Sequence, residues 1–162
     1  MHNYQINSYL KIIFFISLIS IISAFFIEYV LGHQPCNLCL IQRIPYALSV
    51  ILIALNYFQR KNQKFIILLL ILIFSFSFLI SIYHFGIEQG FFEESAVCTM
   101  TNTSNIISKE ELLKQLQLKT VSCKDVTFRI FGFSLTTLNM FISLILIILL
   151  LKIFVNYEKF KK

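Results

Sequence analysis

Four long apolar runs, Ile12 to Leu31, Leu40 to Phe58, Phe65 to Phe85 and Phe133 to Leu151, decide what this chain can fold into. Each is long enough to cross a hydrocarbon layer about 30 Å thick, which takes ~20 helical residues. Inside hydrocarbon every backbone N–H and C=O must find its partner within the protein, and the runs lack the alternation of barrel strands, so they read as helices. The composition agrees: 57% of the 162 residues are hydrophobic, against roughly 45–50% in a soluble domain. The expected fold is an all-α integral membrane protein, one domain built as a four-transmembrane-helix bundle. The first run is about 20 residues, longer than the roughly 7–15 of a signal-peptide core, and no small-residue cleavage site follows it, so it reads as a retained helix.

The net charge of +6 is placed for topology. Lys11 in residues 1–11, Arg60, Lys61 and Lys64 in 59–64, and Lys152, Lys159, Lys161 and Lys162 in 152–162 flank the apolar runs. Residues 32–39 carry no charge, and residues 86–133 balance five basic against six acidic residues. The excess of Lys and Arg puts both termini and the 59–64 link on the cytoplasmic side, and the loops 32–39 and 86–132 outside. Basic ends of this kind hold orientation and anionic lipid in the bilayer; they do not form a nucleic-acid surface.

The longer outer loop carries a helix signature. Ser108 and Glu111 have capping-box spacing and Ile107 and Leu112 that of a hydrophobic staple. Leu112, Leu113 and Leu116 give a short amphipathic helix expected to rest on the bilayer surface or the bundle. Asn102-Thr103-Ser104 fits the glycosylation pattern, which arises often by chance in a chain rich in Asn and Ser.

All four cysteines fall on the outer side: Cys36 and Cys39 in the short loop, Cys98 and Cys123 in the long one. Oxidising compartments are where disulfides persist. One pair per loop is the natural arithmetic, although four cysteines allow three connectivities. A Cys98–Cys123 bridge alone would suit a structural staple worth roughly 3–4 kcal/mol. A bridge across Cys36-x-x-Cys39 closes too small a ring to stabilise much, and that spacing is a redox one. Zinc held by Cys36 and Cys39 with His33 or His84 would want a second close ligand pair, so no metal is expected. Cys39 falls at the start of the second helix, where free amides and the helix dipole favour an anion. Arg43 stands one turn further on the same face. A guanidinium so near the apolar core needs a partner; a Cys39 thiolate, or an anionic ligand beside it, fills that need, whereas otherwise Arg43 would snorkel to the interface. Two thiols at the mouth of a membrane bundle can take electrons from outside and pass them to a two-electron acceptor dissolved in lipid, the description of a quinone.

These residues resemble the DsbB family, membrane quinone reductases that reoxidise the periplasmic dithiol oxidase DsbA. The resemblance lies in four helices, Pro35-Cys36-x-x-Cys39-x-x-Gln42-Arg43 after the first, Tyr83-His84-x-Gly86-x-Glu88 ending the third, and two cysteines in a long second loop. It implies an inner-membrane thiol:quinone oxidoreductase using ubiquinone or menaquinone, with a thioredoxin-like DsbA-type partner. It further implies a Cys98–Cys123 disulfide attacked by that partner at Cys98, exchange of Cys123 with Cys36, and a Cys39 thiolate facing the quinone beside Arg43. His84 corresponds to a histidine near that site. The family often carries a tryptophan after the last cysteine, where this chain reads Lys124-Asp125-Val126-Thr127-Phe128 and has no Trp anywhere. Two other readings stay open: a vitamin K epoxide reductase-like enzyme, whose Cys-x-x-Cys comes late in its chain, and a membrane scaffold with structural disulfides.

Overall fold

The computed structural model describes residues 3–58, 62–93, 98, 122–124, 129–130 and 132–157. Four helices account for about four-fifths of them: α1 (Asn3–Tyr29), α2 (Asn37–Phe58), α3 (Gln63–Glu88) and α4 (Leu135–Val155). Each is long and apolar enough to span a membrane, and together they form an all-α four-helix bundle. Ahead of α4 lies a two-residue antiparallel ladder of β1 (Arg129–Ile130) and β2 (Phe133–Ser134), with Arg129 opposite Ser134. Gly132 turns this hairpin at φ 87°, a backbone region open to glycine at no steric cost. The expected loop helix around Ser108 and Glu111, the Asn102-Thr103-Ser104 triplet and the basic residues Arg60, Lys61, Lys159, Lys161 and Lys162 lie outside the described residues.

The helices overrun the apolar runs that announce them. Helix α1 starts at Asn3, not Ile12, because Ile6, Leu10, Ile13 and Ser17 fall at helical spacing and all point inward, at most 3% exposed. Helix α3 reaches Glu88 rather than Phe85. Helix α4 begins at Leu135 rather than Phe133: the Ser134 hydroxyl accepts the Thr137 N–H at 3.2 Å, an N-cap that leaves Phe133 in the hairpin.

Hydrophobicity points outward here. Phe15, Ile19, Ile22 and Phe26 on α1 and Phe65, Leu72, Phe76 and Leu79 on α3 are more than half exposed, as lipid-facing residues should be. Apolar contact between helices gains little when lipid is equally apolar, so the seams use small residues and hydrogen bonds, each averaging ~0.6 kcal/mol. Ser17, Ser49, Ser77, Ser81 and Ser143 are wholly buried. Ser49 donates to Ser17 at 2.9 Å, Tyr46 to Asn139 at 2.5 Å, and Asn139 to Ser81 at 2.6 Å.

Helices α3 and α4 pack along their length, whereas α1 leans on α2 and meets α4 at few places. No residue of α1 beyond Ser17 is buried. The half of α1 nearest the cysteines therefore stands off from α4, and a cavity of about 340 Å³ fills the gap.

The end of α3 is pinned by an aromatic ring. Phe92 folds back over Gly86 and stacks on Tyr83 with centroids 5.7 Å apart. A Cβ on Gly86 would lie 2.2 Å from the Phe92 ring. Gly86→Ala is expected to swing that half-exposed ring away at a cost of about 1 kcal/mol, the worth of the lost stack. The check is a lowered Tm in detergent; in a Phe92→Ala background Gly86→Ala should cost almost nothing.

Candidate functional site

The site grows from the start of α2. Cys36 occupies its N-cap position: the Cys36 carbonyl accepts the Leu40 N–H at 3.2 Å, and its sulfur accepts the Cys39 N–H at 3.3 Å. A sulfur thus stands where a serine or aspartate oxygen usually caps a helix, at the positive end of the dipole. One turn on, Cys39 Sγ lies 2.8 Å from Cys36 Sγ. From α3, His84 brings Nε2 to 3.6 Å from Cys36 Sγ, with its ring 2% exposed.

These contacts decide which sulfur carries charge. Hydrogen bonding from the Cys39 thiol has the largest effect; with the His84 hydrogen bond and charge and the Cys39 amide it outweighs burial and lowers the Cys36 thiol to about 4. The thiolate expected at Cys39 belongs instead to Cys36, because the helix start presents its free amide to the capping sulfur and the Cys39 thiol donates to it.

Arg43 also departs from expectation. Its Nη1 donates to the Glu28 carboxylate of α1, Nη2 reaches the Ala24 carbonyl at 3.5 Å, and its guanidinium carbon stands 5.2 Å from the Phe25 ring centroid. The counter-charge is Glu28, not a Cys39 thiolate, and Arg43 is tied to α1 rather than snorkelling. Glu28 carries its own signal in the sequence, an acid inside an apolar run.

Cys98 and Cys123 form a disulfide, with Cα atoms 5.5 Å apart, while Cys36 and Cys39 are free thiols. The long-loop pair is closed as expected, while the short-loop pair stands as two neighbouring thiols rather than a second disulfide. Cys98 and Cys123 pack in one buried cluster with Cys36, Leu38 and Ile87, and Cys39 lies at its edge, so the fold gathers all four sulfurs at one end of the bundle. Cys36, Cys39, Cys123, His84 and Arg43 all line the cavity between α1 and α4, whose remaining walls are mostly apolar.

A second polar layer lies behind His84. Its Nδ1 stands 3.3 Å from Thr136 Oγ1 and 3.4 Å from Gln42 Nε2. Thr136 donates to Glu88 Oε1 at 2.5 Å and Ser134 to Glu88 Oε2 at 2.6 Å. His84 Nε2 is 3.9 Å from Glu88 Oε1. Gln42 and Glu88 stand in the two motifs of the sequence without a role attached, and Ser134 and Thr136 were not singled out; the signal available was polar residues facing inward from three membrane helices.

Cys36, Cys39 and His84 hold three ligand-type atoms within 4.8 Å of one another. That is one ligand fewer than the four a structural zinc usually takes, and the two sulfurs, 2.8 Å apart, suit the making and breaking of a sulfur–sulfur bond.

Comparison with known proteins agrees with that chemistry. The chain is 27% identical over 137 residues to Uncharacterized protein RP370 of Rickettsia prowazekii (strain Madrid E), a match covering 83% of this chain and 80% of that protein. No solved structure matches. The family model described as Disulfide bond formation protein DsbB matches residues 7–153. That span takes in nearly all of the four helices, both cysteine loops and the thiol–imidazole cluster between them, and the chain belongs to the DsbB family of disulfide bond formation proteins.

Proposed function

We propose that this protein is a thiol:quinone oxidoreductase of the bacterial inner membrane that reoxidises a periplasmic DsbA-like dithiol oxidase and passes the two electrons to the quinone pool. Both termini are then cytoplasmic and the cysteine loops periplasmic. The observation that carries this reading is that Cys36, Cys39 and Cys123 border one apolar cavity together with Arg43. One wall of that cavity is exchange chemistry, and the others suit a ligand dissolved in lipid.

The cavity fits a quinone headgroup. Its volume of about 340 Å³ lies in the range of roughly 300–1,000 Å³ found for small-molecule sites, and the Arg43 guanidinium supplies N–H donors for a carbonyl oxygen. A bound ubiquinone or menaquinone supplies an acceptor for two electrons and two protons. A DsbA-type couple sits at about −120 mV, and every 30 mV uphill costs ~1.4 kcal/mol for two electrons, so the acceptor must be a strong oxidant.

The residues perform the exchange in order. The reduced partner's thiolate attacks Cys98, the Cys98–Cys123 bond breaks and Cys123 leaves as thiolate. The partner's second thiol then expels Cys98 and the partner departs oxidised. Cys123 attacks Cys36 of a closed Cys36–Cys39 pair, Cys39 leaves, and Cys98 restores its bond to Cys123, releasing Cys36. The arrangement seen here, with the loop disulfide closed and Cys36 and Cys39 as thiols, corresponds to the stage that follows. The low-lying thiol of Cys36 keeps one sulfur charged, and Cys39 gives up its proton as the pair closes.

The test is quinone reduction by the purified protein in detergent, fed with reduced DsbA-like partner. Cys39→Ser should abolish turnover. Arg43→Ala should raise the KM for quinone about tenfold, the worth of one charged hydrogen bond of roughly 1.5 kcal/mol. Absence of turnover from the folded wild-type chain would leave a membrane scaffold with structural disulfides as the better account.

A further inference from the structure

We propose that Thr136 and Glu88 extend His84 into a proton relay for the Cys36–Cys39 pair, with Glu88 holding the proton while the sulfurs close to a disulfide. This rests on the reading of Cys36 and Cys39 as a redox pair. His84 Nε2 faces Cys36 Sγ at 3.6 Å and Cys36 Sγ faces Cys39 Sγ at 2.8 Å, so a proton leaving Cys39 reaches His84 by way of the Cys36 sulfur. From there Nδ1 faces Thr136 Oγ1 at 3.3 Å, and the Thr136 hydroxyl faces Glu88 Oε1 at 2.5 Å.

The imidazole is satisfied in both of its tautomers. Before the transfer the ring hydrogen is on Nδ1 and is donated to Thr136 at 3.3 Å, whose own hydrogen goes to Glu88, and Nε2 is open toward Cys36; once Nδ1 has passed its hydrogen on, it accepts from the Gln42 amide at 3.4 Å. A group that keeps partners before and after gaining a proton is suited to pass one on.

A purely structural role explains Glu88 poorly. Its side chain is 7% exposed and, among the described residues, its one charge partner is His84. A carboxylate in such a place is costly, and a glutamine would join Ser134 and Thr136 to α3 without that cost. Ser134 already caps α4 with its own hydroxyl. Glu88 also lines the cavity beside His84 and Cys39.

The balance closes. One thiolate, one thiol, one proton from water and one quinone become one disulfide and one quinol: one S–H bond breaks, one S–S bond forms, two electrons leave sulfur, and the Cys39 proton and the solvent proton end on quinone oxygens. The relay carries one of those protons from sulfur through His84 and Thr136 to the Glu88 carboxylate, which borders the cavity where the proton is consumed. His84 is the catalytic base, and Thr136 and Glu88 are positioning residues that act through it.

The experiment uses reduced, quinone-free protein in detergent, oxidised by glutathione disulfide, with Cys36 and Cys39 followed by mass spectrometry in H₂O and D₂O. Cys36 first forms a mixed disulfide with glutathione, and Cys39 must lose its proton to close the ring. General base catalysis contributes about 10²–10⁴-fold. Glu88→Gln and Thr136→Val are expected to slow ring closure about tenfold, to build up the glutathione adduct and to change the solvent isotope effect, while Thr136→Ser, which keeps the hydroxyl, stays near wild type. Closure at the wild-type rate with an unchanged isotope effect in both Glu88→Gln and Thr136→Val would overturn the relay. If Glu88→Gln loses its Cys98–Cys123 disulfide and its fold, the Thr136→Val and Thr136→Ser pair decides alone. A wild-type chain that closes its disulfide this way but reduces no quinone would sink the quinone reading and leave the relay standing.

Discussion

A DsbA-like partner whose second active cysteine is replaced by alanine is expected to become covalently captured on Cys98, and Cys98→Ser to abolish capture. The single partner thiolate attacks Cys98 and expels Cys123, but without a second thiol the partner cannot leave. Cys123, freed into the cluster that holds Cys36, moves on to the inner pair and stops competing for Cys98. Cys36→Ser should therefore lower the yield, since Cys123 then has no disulfide to attack and returns to Cys98. The readout is a thiol-reversible band on a non-reducing gel, mapped by peptide mass. Capture that persists in Cys98→Ser, or that maps to Cys36, would overturn the proposed order of exchange.

The second large effect lies in how Cys36 titrates. An ordinary cysteine titrates near pH 8.5; Cys36 is lowered to about 4 by the Cys39 thiol, the helix-start amide and His84. The charged form is present above that value and is lost as pH falls through it, so iodoacetamide labelling of Cys36 in reduced, quinone-free protein should reach half its plateau near pH 4. His84→Ala should move the midpoint upward. The midpoint is a better observable than the rate. At pH 6 the thiolate fraction rises about 300-fold over an ordinary thiol, but nucleophilicity falls by about 100-fold over the same pKa change, leaving a gain of only about threefold. A wild-type midpoint near 8.5 would show that the N-cap arrangement does not charge the sulfur.

The membrane spans were legible because hydrocarbon leaves the backbone no alternative to helix over Phe65 to Phe85 or Leu40 to Phe58. Their ends were not, since Ile6 and Leu10 extend α1 by packing rather than by hydropathy, and Ser134 starts α4 by capping. The cysteines announced themselves by spacing. The charge pattern around them did not: Arg43 suggested a nearby anion, yet whether that anion is a thiolate or Glu28 depends on how α1 lies against α2, which linear order does not encode. For the same reason the helix-start effect was assigned to Cys39, when α2 begins early enough for Cys36 to occupy the cap. His84 could be given a place from its resemblance; Gln42 and Glu88 stood in the motifs without a role and Thr136 was not named, because their significance appears only once α2, α3 and α4 bring them to one ring.

The stand-off of α1 from α4 has a consequence for selectivity. For the quinone proposed above, a chamber walled by α1 and α4 lets a long isoprenoid tail trail out among the acyl chains. Tail length then governs how much of the guest dissolves in the membrane, not how well it sits, and discrimination falls on the ring alone. Such an enzyme can work across electron carriers that differ only in the number of isoprene units, and its choice among ring types should track their redox potential and the reach of their oxygens toward Arg43.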